Sequence, residues 1–459
     1  MHRSCYPALN LPLPLRLWRH TGDSTSEVAT RQNDIGARRP DNSTAITEAA
    51  VERPEAITAG GLSTFRSLRY PNYRLLWFGT LFSSSGQWIQ QVTISWLAYQ
   101  MTGSAFLLGA INGFRALPLL FLAPFGGVAA DRLDRKSLMF STQAFLLATS
   151  LVMGLTIAVG ELKVWHLFAF TLLTGVAWAF NMPVRQSVMP NLVPKDDIMN
   201  ALALNSAGFN MTRIVGPTLG GVLISALGTA DNFFLQALAY FFVTLTILRM
   251  TVPPASRSNT VSVRQNLADG ARYVLHNPTL RTLLLLALVP VIVALPYFTI
   301  MPVFAEEVLG KGAGGFGLLM AAPGIGAVIG TLTIASLSGI RRKGPLLLGA
   351  IFSMGALLML FSLSRSFWLS FALLIVIGAV QMAYLTTNQT LLQLIIPDQM
   401  RGRVMGIYML NQGLLPAGSL FAGGMADFFG APAAVFVMGS ITCVMALAFG
   451  LRARSLREV

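Results

Sequence analysis

About twelve apolar stretches, each roughly twenty residues long, follow one another from about Arg74 to about Leu451. An α-helix rises about 1.5 Å per residue, so about 20 apolar residues cross a hydrocarbon core about 30 Å thick. The pattern predicts an all-α integral membrane protein whose function lies along a path through the bilayer. With 54% hydrophobic and only 11% charged residues, the chain is more apolar than a soluble core requires. Its net charge of +14 does not point to nucleic acid, because the basic residues sit in short loops between apolar spans. Cys5 and Cys443 are far apart in sequence and fit neither a disulfide framework nor a metal cluster.

The expected spans are 75–100, 105–130, 137–160, 164–183, 200–226, 232–250, 282–305, 314–338, 344–363, 367–389, 403–427 and 432–451. Residues 1–65 contain Pro12, Pro14, Pro40 and Pro54 among scattered polar residues, and are expected to form a disordered tail rather than a signal peptide. Residues 66–250 and 282–452 form two six-helix bundles in this reading, and 453–459 a cytoplasmic tail. Between the bundles, 251–281 is expected to be a cytoplasmic linker. Its Val263, Leu267, Ala271 and Val274 recur every three or four residues, as in an amphipathic helix lying against the membrane.

Lys and Arg loops set orientation, since they are retained on the cytoplasmic side. One set of loops and the C-terminal tail carries seventeen, including Arg132, Arg135, Lys136, Arg185 and Lys195; the other has only Lys163, Lys311 and Arg365. Both termini are therefore expected in the cytoplasm, which agrees with an even number of spans placing them on one side. The halves also look like copies: aligning Pro194 with Pro397 places Gln186 on Gln389, Gly220 on Gly423 and Gly221 on Gly424. Repeated halves suit a transporter in which one bundle rocks against the other around a central site.

Residues 126–136 read Gly-Gly-Val-Ala-Ala-Asp-Arg-Leu-Asp-Arg-Lys. With this motif the chain resembles the major facilitator superfamily over almost everything after residue 65. Asp134 replaces the usual second glycine, which suggests a different turn, while Asp131, Arg132, Arg135 and Lys136 stay in register. The resemblance implies a gating loop whose ion pairs change between inward-open and outward-open states; the alternative is that these are retention charges. A second stretch, Gly216-Pro217-Thr218-Leu219-Gly220-Gly221, resembles the motif of proton-coupled antiporters, although Thr212 stands where a further glycine is common. The fourth span lacks the arginine motif of many drug antiporters. The segment from Asn181 through Gly221 and the stretch Arg401–Gly406 resemble a branch that includes enterobactin exporters and macrolide efflux permeases. That implies export of a medium-sized organic molecule.

Ionised side chains at membrane depth are costly and face a cavity or a partner. Arg115 and Arg213 lie deep in spans two and five, and no Asp or Glu does so in the first six spans. Two such cations suggest a positive cavity wall suited to an anionic substrate. Equally, each arginine can fix helix geometry through neighbours such as Asn112 and Asn210. Gln87 and Gln91 share one face of span one, and Gln381, Tyr384 and Asn388 share one face of span ten; both faces are expected to line the cavity. Proton coupling needs a group that changes charge, and Asp131, Glu306 and Glu307 are the candidates, with Asp427 beside them.

The sequence thus predicts a monomeric secondary transporter of twelve helices in two pseudo-symmetric bundles, the major facilitator fold. It is expected to export an organic solute, siderophore or drug-like, by proton antiport, with no cofactor and no enzymatic step. No phosphate-binding Gly-x4-Gly-Lys-Ser/Thr loop occurs in the chain. The alternatives are a lysophospholipid flippase of the same fold and a membrane sensor or scaffold that moves nothing.

Overall fold

The computed structural model describes residues 63–252, 263–336 and 342–452. The expected tail up to residue 62, the linker stretch 253–262 and the tail 453–459 lie outside the described residues. Among those described, the chain is helical and contains no strand.

A 3-10 helix, Ser63–Arg69, precedes the first bundle. It is held to the start of the fifth span by the buried Asp197, which pairs with Arg66 at 3.0 Å and Arg69 at 3.1 Å and accepts from the Tyr70 hydroxyl at 2.6 Å. The first bundle comprises α1 (Pro71–Thr102), α2 (Ala105–Arg132), α3 (Arg135–Ala158), α4 (Val164–Val188), α5 (Ile198–Leu227) and α6 (Thr229–Arg249). Local chemistry marks the boundaries. Gly103, at φ 61°, ends α1 in the left-handed conformation that glycine adopts without strain. Ser104 and Asp134 cap the first free N–H groups of α2 and α3.

The linker contains α7 (Val263–His276). It rests on the eleventh span: Gly270 approaches the Arg403 backbone, and Asp269 pairs with Arg403 at 3.1 Å. Val274 is buried there beside Leu280 and Leu283, while the side chains of 263–267 lie outside the described residues.

The seventh span begins as α8 (Pro278–Val289), runs through a π turn, Pro290–Ala294, and a 3-10 turn, Leu295–Phe298, and ends in α9 (Met301–Val303) and a second π turn, Phe304–Val308. Prolines 290, 296 and 302 each remove a backbone donor, which explains the irregular ladder. Such backbone is tolerated at membrane depth where protein covers it, and Pro290, Leu295, Tyr297 and Phe304 are all buried. The bundle continues with α10 (Gly312–Ser336), α11 (Lys343–Leu363), α12 (Phe367–Ile395), α13 (Asp398–Gln412), α14 (Leu415–Phe429) and α15 (Ala431–Arg452). The eleventh span, expected as one helix, is two. Pro416 cannot donate to the preceding turn and sits at the start of α14.

Among the described residues, nine helical segments are long and apolar enough to cross a membrane on those grounds alone. The first, fifth and eleventh spans fall short for physical reasons. Glutamines, asparagines and Arg213 dilute the first two, and the break at 413–414 shortens the third. Within the first bundle α1 packs on α5 and α6, α2 on α4, and α3 on α6; in the second, α10 packs on α12 and α11 on α15. The bundles meet through α2 on α14 and α5 on α10. Glycines permit this approach: a Cβ at Gly221 would lie 2.6 Å from the Ala313 carbonyl and 2.7 Å from Gly317 Cα.

These contacts are unequal along the helices. At the end bearing the loops 103–104, 309–311 and 430, one apolar cluster spans both bundles, joining Trp96, Tyr99 and Leu108 to Phe304, Phe316 and Ala422. At the other end, which carries most of the basic loops, the core divides in two. One cluster around Tyr73, Met139 and Val188 belongs to the first bundle, and another around Leu283, Ile351 and Tyr408 to the second. The two bundles share one apolar core at the closed end and keep separate cores at the basic end.

Candidate functional site

At mid-helix the two bundles enclose a cavity of about 330 Å³, lined from the first bundle by Trp88, Gln91, Asn112, Arg115, Phe209 and Arg213. From the second come Pro296, Phe298, Thr299, Met320, Gln381 and Ser419. Four of the sequence-predicted residues on the first bundle thus meet Gln381 around one space. Gln91 donates to the Asn112 side chain at 2.7 Å, and Asn112 donates to the Leu108 carbonyl at 3.1 Å, so this pair is held rigidly. No Asp or Glu lines the cavity, and neither Arg115 nor Arg213 forms an ion pair among the described residues. Two guanidinium groups facing one apolar-walled space favour an anion there.

Tyr384 and Asn388 are placed elsewhere. Tyr384 is fully buried and donates to the Ala287 carbonyl at 3.2 Å, tying α12 to α8. Asn388 is also fully buried, outside the cavity lining. Both sit nearer the basic end, where α12 packs within its own bundle. Gln87 lines a second, smaller cavity of about 120 Å³ toward the basic end, with Thr80, Trp178, Arg185 and Asn205. Arg185 was not predicted as a site residue. The expected fourth span stops at Pro183, yet α4 continues to Val188 with this proline inside it. The signal available was the polar face of α1, where Thr80, Ser84 and Gln87 repeat at helical spacing and require an opposing polar surface.

In the loop between α2 and α3, Asp134 has an extended backbone (φ −61°, ψ 115°), so the position needs no glycine. Its carboxylate accepts from the Ser137 hydroxyl at 2.6 Å and the Ser137 N–H at 2.8 Å, which hold its pKa below the usual carboxylate value. Arg135 is buried and donates to the Ala130 carbonyl at 3.2 Å; Lys136 donates to the Leu248 carbonyl at 2.8 Å. Asp131 is half-buried and Arg132 exposed.

The glycine-proline stretch of α5 faces two ways. Gly216 and Gly220 lie against Trp88 and Ile89 of α1, and Pro217 and Gly221 against Gly317 of α10. At the closed end, the Tyr99 hydroxyl bonds to Glu307, and both Glu306 and Glu307 are exposed. Asp427, at the C-terminal end of α14, crosses to the other bundle and accepts from Ser104 Oγ at 2.6 Å and from the Ala105 and Phe106 N–H groups at 2.6 and 3.1 Å. It thereby caps α2.

A family model described as transmembrane secretion effector matches residues 62–458. Among curated proteins, the staphyloferrin A transporter of Staphylococcus aureus is 27% identical over 384 residues, covering 82% of this chain and 96% of that protein. The multidrug efflux pump Tap of Mycolicibacterium fortuitum is 26% identical, covering 78% and 89%. Macrolide efflux protein A of Streptococcus pyogenes is 22% identical, covering 83% and 96%. Among solved structures, a bacterial homologue of the human lysosomal transporter Spinster superposes with a TM-score of 0.69 at 16% identity, covering 84% of this chain and 98% of that one.

Proposed function

The chain belongs to the transmembrane secretion effector family of major facilitator transporters, and from that premise we propose that it exports an organic anion across the cytoplasmic membrane in exchange for protons. The observation that carries the substrate class is the pair Arg115 and Arg213 facing one central cavity that no carboxylate lines. Trp88, Phe209, Phe298 and Met320 supply the apolar wall for the organic body of the solute. The relatives named for staphyloferrin A, macrolide and multidrug transport support efflux of a small organic molecule.

Unequal packing supports alternating access: one apolar core spans both bundles at one end, and the cores are separate at the basic end, which the positive-inside rule assigns to the cytoplasm. In this reading both termini are cytoplasmic, the rocking units are residues 66–250 and 282–452, and a monomer suffices. Antiport requires a carboxylate whose protonation alters closure. Glu307, bonded across the bundles to Tyr99, is the best placed of the predicted acids, with Asp131 as the counterpart at the basic end and Glu306 beside the external surface.

The test is uptake into inverted membrane vesicles driven by a pH gradient, comparing a panel of carboxylate siderophores with cationic and neutral drugs. Uptake of the anions that collapses with the gradient is expected. Arg115→Ala and Arg213→Ala should each reduce it at least tenfold while insertion is unchanged, since each removes a charge-assisted contact. Full anion transport by both variants would overturn the substrate class.

A further inference from the structure

The smaller cavity lies where α1, α4 and α5 approach the basic end. α1 turns Thr80, Ser84 and Gln87 toward it, α4 contributes Trp178 and Arg185, and α5 contributes Asn205. The Arg185 guanidinium donates to the Thr80 hydroxyl. A guanidinium has five N–H donors, so one hydroxyl leaves most of its capacity unused. No carboxylate lines this cavity, and Arg185 forms no ion pair among the described residues. The Trp178 Nε1–H is buried on the side of the Tyr240 hydroxyl and is no donor to this space. Unused guanidinium donors facing a space that no carboxylate lines mark a place for a negatively charged acceptor.

Two further facts connect this cavity with the central one. Phe209 lines both, so the two spaces meet at this residue. The polar face of α1 continues from Gln87 on one side to Gln91 on the other. At about 120 Å³ the smaller space admits a carboxylate or phosphate group but not a whole drug-sized solute, for which about 300 Å³ or more is usual.

We infer that Arg185, with Gln87 and Asn205, forms a second oxyanion-binding subsite that holds one carboxylate or phosphate group of the solute on the cytoplasmic side of Phe209. The inference rests on the proposed export of an organic anion. It adds that a solute with two separated anionic groups engages both cavities, whereas a single group passes from Arg185 to Arg115 and Arg213.

The experiment measures binding to the full chain in lipid nanodiscs by calorimetry. The probes are citrate as a free polycarboxylate, lysophosphatidylglycerol as a lipid phosphate, and triethyl citrate as the uncharged counterpart of the first. Arg185→Gln should weaken at least one anionic probe about tenfold and leave triethyl citrate unchanged, the unequal loss distinguishing recognition from a packing role. Arg185→Lys should recover part of that loss, and Gln87→Met, close in size to glutamine, should weaken the same probe about threefold should the Arg185→Gln variant fail to fold. Loss confined to citrate identifies a free solute, and loss confined to the lysolipid identifies a headgroup; either supports the subsite. Anion binding that needs Arg115 and Arg213 but is indifferent to Arg185 and Gln87 overturns the subsite and leaves the export reading standing. Absence of anion binding to the unsubstituted chain overturns both.

Discussion

Asp134 shows how one residue can be read correctly in sequence and misread in consequence. Its departure from the glycine of the loop motif suggests an altered turn, but the extended backbone needs no glycine, and the carboxylate caps α3 through both Ser137 groups. Because these bonds depress its native pKa, its contribution is complete above the unfolded value of about 4 and is lost as pH falls through the native value. Asp134→Ala should therefore lower the melting temperature at pH 7, by an equivalent of about 0.5–1 kcal/mol for an exposed cap, and the deficit should shrink in thermal melts below pH 4. Equal deficits at pH 3 and 7 would count against the cap. Arg115 and Arg213 were legible because charge is rare in apolar spans. Arg185 was not, because a proline two residues earlier looked like a helix end although α4 carries it internally.

At the scale of elements, the sequence revealed the number and order of spans but not their internal breaks. Apolar length is insensitive to whether a segment is α, π or 3-10, so the irregular seventh span and the divided eleventh appear only in the structure. The repeated glycines were visible as a motif, whereas their partners depend on which helices cross. Gly221 meets Gly317 so closely that a Cβ would lie 2.6 Å from the Ala313 carbonyl and 2.7 Å from Gly317 Cα, with backbone atoms that cannot rotate away. Gly221→Val should therefore obstruct the crossing of α5 with α10 at the closed end rather than unfold either bundle. Transport should fall at least tenfold. In a variant without the native cysteines, Ser225→Cys, which sits beside Gly314 at this crossing, should become labelled by an impermeant external maleimide only when Gly221 is replaced. No gain in labelling would mean that the helices part without disrupting closure.

For the whole molecule, the decisive asymmetry is that carboxylates from the second bundle bond to the first at the closed end. Asp427 accepts two backbone N–H groups at the start of α2, where the helix dipole also favours negative charge, and Glu307 bonds Tyr99. These contacts exist only while the bundles are together at this end, so they bias the equilibrium between conformations and not the stability of either bundle. Replacing a cap costs about 0.5–2 kcal/mol, enough to shift a two-state population by roughly two- to thirtyfold. Asp427→Asn should thus open the end opposite the basic loops in a measurable fraction of molecules. Spin labels at Glu161 and Arg365, exposed on loops of the two bundles at that end, should report a longer second distance whose population grows in Asp427→Asn and further when Glu307→Gln is added. If acidification of the unsubstituted protein produces the same long-distance population, protonation of these acids drives opening, and the coupling ion acts through closure instead of through the cavity. A single distance unchanged by either substitution would show that apolar packing alone seals the molecule, and would return the coupling role to Asp131 at the basic end.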